Sequence, residues 1–492
     1  MRISLPDPTQ FEVVFRTVTG HSIPMVGGIS TDSRECRPGD LYIAICGEKV
    51  DGHDFIDNAV NNGAKVVIVE RHIDSDAYIV LVNNSIEAIS AVASYWRNQF
   101  DIPVIAITGS NGKTSTKELL RHILNGQFAV HATEGNYNTS IGLPLTLFQM
   151  MQAHSISILE MGANQPGDIG ALCSIANPTH GLITNIAPAH LEGFGSIDEV
   201  ANTKAALFRA MSNKGVGFVN LTDPYIAKMK QPKNSITFGI TDDCDYPADI
   251  HTEDDGTLSL TILTEDIFTG SSNFSFAKNI IACASIADTL NISWELFRNR
   301  ISTFQPPSGR CEIKKLKNMT IIDDTYNANL ESTVAAIDYL SGFSGNGRRI
   351  LIFGDMFELG KESRNQHIKV GQKCADSDLD IVFTVGNESV ATDESISSGP
   401  EHLHFNTKED LIKKGLKHVK RFSWGDSAEK HLKVYRQLES KRRNILFVDQ
   451  YGDFFGGGQV ILRDLIQHCQ EMESWKVMAA LPSFGNFALH IN

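Results

Sequence analysis

The 492-residue sequence has no Cys-x-x-Cys pair, and its eight cysteines are scattered, so it offers neither a clustered zinc site nor a disulfide framework. They read as ordinary reduced thiols of a cytosolic protein. No apolar run approaches the roughly 18 residues needed to span a bilayer, and no continuous apolar segment opens the chain as a signal peptide would. A cytoplasmic location, away from membranes, is therefore expected. Positive charge is also scarce. Against 58 Asp and Glu stand 44 Lys and Arg, a net charge of −14. That excludes broad nucleic-acid binding, yet an anionic small molecule needs only local basic groups. No serine elbow or Cys–His signature suggests an enzyme nucleophile. At this length, with 42% hydrophobic and 21% charged residues, about three globular domains are expected.

What is present is organised around one stretch. Residues 104–108 form a short β-branched apolar run that reads as a buried strand. Gly109, Ser110, Asn111, Gly112, Lys113, Thr114 and Ser115 follow, and then Leu119, Leu120, Ile123 and Leu124 recur at helical spacing. Strand, glycine turn, lysine, hydroxyl and helix together predict a phosphate cradle. Glycines let backbone N–H groups approach oxygen atoms, and a helix N-terminus adds positive potential. Lys113 is placed to reach the β/γ-phosphates and the Thr114 hydroxyl to ligate Mg²⁺, so ATP or GTP is the expected ligand. The general nucleotide loop carries a glycine where this chain has Ile107. A plain glycine turn, on the other hand, has no use for the Lys-Thr pair.

Taken in order, residues 1–100 read as a small α/β unit, with strands at 41–45 and 64–69 around a helix at 55–60. Arg34, among small polar residues at 30–34, is either part of a turn or a holder of a nucleotide sugar or its phosphates. Residues 101–310 form the nucleotide domain. A strand at 155–159 ends at Glu160, well placed for a nucleotide-bound metal in a parallel sheet. Another strand at 181–186 leads to His190, a second candidate ligand at the same sheet edge. In the helix from residue 197, Lys204 falls on the apolar stripe of Val200, Leu207, Phe208 and Met211. Either it is desolvated, with a lowered pKa and an amine able to take up CO₂ as a carboxylate-like ligand, or its head snorkels to water. Gly309 and Arg310 sit at a hinge, where the arginine reaches phosphate or merely belongs to a linker. From residue 311 strands and helices alternate, with acids closing the strands at 320–324 and 349–355, which predicts a parallel sheet.

Together these stretches resemble the Mur ligase family of peptidoglycan synthesis. The matching segments are 108–114, 135–138, 160–164, 185–195, Lys204, 309–310, 324–329 and 354–360, in family order across roughly residues 25–412. The resemblance implies an α/β fold of three domains: one for the UDP end of the substrate, a central P-loop ATPase and a Rossmann-like C-terminal domain at 311–414. It implies ATP and Mg²⁺ as cofactors and an ATP-dependent amide ligase working through an acyl phosphate. The implied substrates are UDP-N-acetylmuramoyl-tripeptide and D-alanyl-D-alanine, handled by a cytoplasmic monomer. By the same resemblance Glu160 and His190 join Thr114 in serving Mg²⁺, and Lys204 matches a carbamylated lysine. Arg310, Asp324 and Asn327 go with ATP, Asn138 lies near the phosphates, and Ser33 and Arg34 belong to the uridine-nucleotide region.

Thr139 and Leu330 stand where this subgroup usually has asparagine and proline. Residues 415–492 form an atypical tail without the family's closing strand and Lys-Gly-Ser-Arg stretch. Residues 415–438 resemble the end of a retaining glycosyltransferase, and 444–466 resemble the start of another or a generic strand–glycine–helix unit. A disrupted or fused reading frame, an incomplete third domain and impaired turnover are the corresponding expectations. The alternative function is thus a ligase-like nucleotide-binding protein.

Overall fold

Short apolar runs alternating with amphipathic segments fold as such a pattern must, into sheets whose strands are joined by helices. The computed structural model describes residues 1–420 apart from 48–49, 317–318 and 346. The expectations for residues 421–492 lie outside the described residues. The chain forms two compact units: residues 1–186, 198–248 and 281–300 make one, and 187–197, 249–280 and 301 onward the other.

The first unit holds two sheets. In one, β1 (Arg2–Ser4), β2 (Gly28–Ser30), β3 (Asp40–Ile43), β4 (Ala64–Val69) and β5 (Tyr78–Leu81) lie side by side in that order. β1 runs antiparallel to β2, and the remaining pairs are parallel. The second sheet contains β6 (Val104–Thr108), β7 (Val130–Ala132), β8 (Ile156–Glu160), β9 (His180–Ile183), β10 (Val216–Asn220), β11 (Asn234–Gly239) and the start of β12 (Tyr246–Thr252). Their order is β7-β8-β6-β9-β10-β11-β12, every pair parallel. β6 and β8 are buried along their whole length, which explains why they are mostly apolar, with Thr108, Ser157 and Glu160 as their polar residues. From β6 the chain first builds out on one side through β8 and then returns to the other with β9. The C-terminal end of β6 is therefore a topological switch point, where open α/β sheets bind ligands.

The small sheet is fixed to the larger one by packing and by caps. Phe148 meets Phe11 and Trp96 edge-on, at ring separations of 5.1 and 6.1 Å. The buried Arg97 donates to the carbonyls of Ala176 and Asn177 at 2.9 and 3.2 Å, satisfying acceptors that the helix Asp168–Ala176 leaves open at its end.

The second unit contains two hairpins and a sheet. β13 (Leu258–Ile262) pairs antiparallel with β14 (Glu265–Phe268), and β15 (Glu312–Leu316) with β16 (Met319–Asp323). β17 (Ile350–Gly354), β18 (Ile381–Val385) and β19 (Glu401–Phe405) form a parallel sheet, crossed by the helices Ser363–Ala375 and Val390–Ser395. The strand expected at 320–324 thus joins a hairpin rather than the parallel sheet. The link between β15 and β16 is far too short for the dozen or so residues a crossover takes. Asp355, the acid that closes β17, accepts the N–H groups of Asn387, Glu388 and Ser389 at 2.9, 3.0 and 2.8 Å and so anchors a turn. Among the described residues no helix is long and apolar enough to cross a membrane.

Candidate functional site

The loop after β6 is shaped by two glycines. Gly109 has φ 152°, and a Cβ there would fall 1.8 Å from Thr184 Oγ1. Gly112, at φ 78°, turns the chain into the helix Lys113–Leu124, which therefore starts two residues before Ser115. Backbone N–H groups of Ser110 and Asn111 donate to the carbonyl and side-chain oxygens of Asn185 at 3.0 and 2.8 Å, and Thr184 Oγ1 donates to the Asn111 carbonyl at 2.6 Å. The loop is thus stitched to the end of β9. Lys113 Nζ lies over it, donating to the carbonyls of Gly109 and Ser110 at 2.8 and 3.2 Å. Ser115 is half-buried in the first helical turn, whose N–H groups point out of the helix end.

Glu160 is the last residue of β8 and is 2% exposed. Its Oε1 accepts from Thr114 Oγ1 at 3.2 Å and from Asn138 Nδ2 at 2.8 Å. Its Oε2 is buried and makes no hydrogen bond among the described residues. A buried, half-satisfied carboxylate beside a hydroxyl suits a hard divalent cation, which takes oxygen ligands. Among the described residues no three His, Cys, Asp or Glu side chains converge as a ready cage.

Lys204 is 2% exposed on the helix Ile197–Ala210, with Val200, Leu207 and Phe208 buried on the same face. Snorkelling is therefore excluded. Burial pushes the ammonium well below its usual pKa, and the Lys113 charge adds to the effect. The outcome is an amine whose charged form is disfavoured by its surroundings.

In the second unit His190, at φ 52°, precedes the short helix Leu191–Phe194, and its Nδ1 pairs with Glu358. Glu358 is itself at φ 60°, and its hydrogen bond with His190 holds its carboxyl below the usual range. The Arg310 guanidinium stacks over the Tyr326 ring at 3.9 Å. Gly309, at φ 72°, makes room for this, its carbonyl accepting the Tyr326 N–H at 3.1 Å. Asp324 Oδ1 accepts the Cys311 N–H at 3.1 Å, and burial pushes its pKa up to about 6 against the opposing pull of Arg310. Arg310 and Asp324 thus share one platform. Asn327 is exposed in the turn beyond, its Oδ1 accepting the Ala328 N–H at 3.0 Å.

An open cavity of about 440 Å³ lies in the first unit, lined by Arg2, Arg34, Glu35, Cys36, Arg37 and Tyr137. Arg34 is mostly exposed and pairs with Asp32, whose pKa falls to about 2 chiefly through that hydrogen bond. Ser33 is buried just behind, its carbonyl accepting from Asn62 Nδ2 at 2.9 Å. Arg2, Arg37 and Tyr137 are additions that sequence pattern did not reveal, although Tyr137 belongs to the family-like segment 135–138. Arg2 donates to both oxygens of the buried Asp40 at 2.7 and 2.9 Å. Only glycine fits at position 28, where a Cβ would meet Asp40 Oδ1 at 2.6 Å.

Three protein-family models match the chain: "Mur ligase family, catalytic domain" over residues 25–99, "Mur ligase middle domain" over 107–287 and "Mur ligase, glutamate ligase domain" over 309–424. The UDP-N-acetylmuramoyl-tripeptide–D-alanyl-D-alanine ligase of Haemophilus influenzae is 32% identical over 414 residues, covering 82% of this chain and 89% of that protein. The protein of the same name from Escherichia coli K12 is 32% identical over 396 residues, covering 78% and 86%. Among solved structures, MurF from Acinetobacter baumannii superimposes with a TM-score of 0.80 at 27% identity, over 94% of this chain and 100% of that one. MurF ligase from Thermotoga maritima in complex with ADP gives 0.71 at 27% identity, over 90% and 97%.

Proposed function

The chain belongs to the Mur ligase family and has its three-domain α/β architecture, and from that premise we propose that it joins D-alanyl-D-alanine to UDP-N-acetylmuramoyl-tripeptide in peptidoglycan precursor synthesis, with ATP as the energy source. The observation that carries this reading is the buried Glu160 carboxylate. It takes the Thr114 hydroxyl and the Asn138 amide on one oxygen and leaves the other unsatisfied, beside a lysine-bearing glycine loop. Residues 1–100 receive the UDP end, 101–310 form the ATPase, and 311–414 supply the third domain. A cytoplasmic monomer is the form in which we expect it to act.

A carboxylate is a poor acyl donor, so the γ-phosphoryl group must first move onto the tripeptide's terminal carboxylate oxygen. Lys113, the N–H groups of the loop and the positive helix end hold the phosphates and offset the repulsion between two anions. The bond to the β-phosphate oxygen breaks, ADP leaves, and an acyl phosphate remains. The dipeptide's neutral amine then attacks the acyl carbon, the tetrahedral adduct expels phosphate, and the amine proton is lost. Placement of the reactants carries this without an enzyme nucleophile. Thr114 and Glu160 would hold Mg²⁺, which neutralises phosphate charge when bound. His190 as a metal ligand, and Arg310, Asp324 and Asn327 as nucleotide contacts, are proposed on sequence grounds. Carbamylation of Lys204 fits the desolvated amine and would convert a buried cation into an anion. Arg2, Arg34, Arg37 and Tyr137 suit the diphosphate of the nucleotide sugar.

Phosphate release by the purified full chain tests the reading. It should require ATP, the UDP-muramoyl-tripeptide and the dipeptide together, and Lys113→Ala should abolish it. ATP binding without release would instead indicate a ligase-like binding protein. UDP release from a nucleotide sugar would indicate a transferase.

A further inference from the structure

Lys117 lies one turn beyond Lys113 on the helix Lys113–Leu124 and is fully buried, yet nothing in the chemistry above uses it. Its ammonium donates to the Thr133 carbonyl at 2.6 Å and pairs with Glu118 Oε1 at 2.8 Å. Thr133 follows directly on β7, whose ladder with β8 ends at the Ala132–Ile158 pair. Beyond that point the Thr133 N–H reaches the Ile158 carbonyl at 3.0 Å, and the Thr133 hydroxyl accepts the Glu160 N–H at 3.0 Å. One residue therefore ties two elements. Through its carbonyl Thr133 holds the helix that carries Thr114, and through its hydroxyl it holds the backbone of Glu160.

Packing alone does not call for a charge at this position. A buried ammonium is costly, and a methionine would fill the same volume without desolvation. What the ammonium adds is a directed hydrogen bond between the phosphate-loop helix and the strand end. The Thr114 hydroxyl and the Glu160 carboxylate, 3.2 Å apart, lie on these two elements. Their separation is what a small, geometrically demanding cation senses.

We propose that Lys117 is a positioning residue which, through Thr133, sets the spacing of Thr114 and Glu160 and with it the grip on the divalent cation accompanying the nucleotide. The proposal rests on the nucleotide–metal reading of this site. Lys117→Met, Thr133→Val and Thr133→Ser in the full chain test it. Two measurements are made: ADP binding by calorimetry in the presence of chelator, and Mn²⁺ binding to the ADP-loaded protein by electron paramagnetic resonance. Lys117→Met and Thr133→Val should weaken Mn²⁺ binding about tenfold, with metal-free ADP affinity held within about twofold. Thr133→Ser, which restores the hydroxyl, should behave as the wild type.

Wild-type Mn²⁺ affinity in the folded variants would overturn the proposal, and so would a parallel loss of ADP and Mn²⁺ affinity, which a general loosening of the loop would produce. If Lys117→Met does not fold, Lys117→Gln, uncharged and one atom short of the Thr133 carbonyl, decides between the same outcomes, because the Thr133 pair tests only the link from Thr133 to Glu160. A wild-type protein that takes up neither ADP nor Mn²⁺ would overturn the nucleotide reading and this proposal with it.

Discussion

Asn138 gives its side-chain amide to Glu160 Oε1 at 2.8 Å, while its neighbour Tyr137 lines the arginine cavity. Two consecutive residues thus serve two different places. Replacing Asn138 with alanine removes a donor that orients the carboxylate and should lower kcat about 10- to 100-fold. The KM for the UDP substrate should stay close to the wild-type value. Tyr137→Ala should do the reverse, raising that KM with a smaller effect on kcat. Steady-state phosphate release, with each substrate varied in turn, separates the two patterns.

Arg2 and Arg34 line the same cavity but stand on different footings. The Arg2 side chain is 14% exposed and forks onto Asp40, which is 1% exposed; that of Arg34 is 84% exposed. Removing Arg2 deprives the buried carboxylate of its guanidinium partner and leaves it the Arg37 N–H, a loss of about 3 kcal/mol in stability. Arg34→Ala should leave the melting temperature unchanged and raise the KM for the UDP substrate several-fold. Denaturant titration beside kinetics checks both. A destabilised Arg34→Ala protein would contradict this division of labour.

Lys204 carries the opposite expectation to most buried residues. Its ammonium is desolvated, so Lys204→Met removes a cost of burial and keeps the volume. The variant should melt at or above the wild-type temperature and yet lose turnover by more than about 100-fold. A drop in melting temperature with turnover intact would show that the lysine only supports the fold. Mass spectrometry under gentle conditions reads the carbamate directly.

Features with a local signature were legible in the sequence. Strand, glycines and Lys-Thr pair announce the phosphate loop by themselves, and only the helix start was missed, because Gly112 turns the chain early. Lys204 was visible as a charge on an apolar stripe, but whether it snorkels depended on what packs over it. The features that escaped all depend on distant partners. Arg2 joins the cavity because the small sheet brings it beside Tyr137, and Lys117 matters because β7 delivers Thr133. Asp355 shows the reverse case: its strand-then-acid pattern matches that of Glu160, but its partners at 387–389 make it a turn anchor.

His131, on β7 two residues before Thr133, should make the first unit acid-sensitive. The ring is buried, its Nε2 lying 2.9 Å from the Thr146 carbonyl and its Nδ1 2.8 Å from Ser157 Oγ. A carbonyl can only accept, so Nε2 carries the proton and Nδ1 accepts from the hydroxyl. Burial lowers the pKa from 6.5 to about 4, so the folded state holds the neutral ring while the unfolded chain takes up a proton first. This contribution is complete above pH 6.5 and is lost as pH falls from there towards 4, by up to roughly 3 kcal/mol. His131→Gln keeps a donor and an acceptor without titrating. Urea unfolding at pH 7 and near 4.5 should therefore show a smaller acid-induced loss in the variant than in the wild type, by about 2 kcal/mol. Equal losses in the two proteins would place the acid sensitivity elsewhere in the fold.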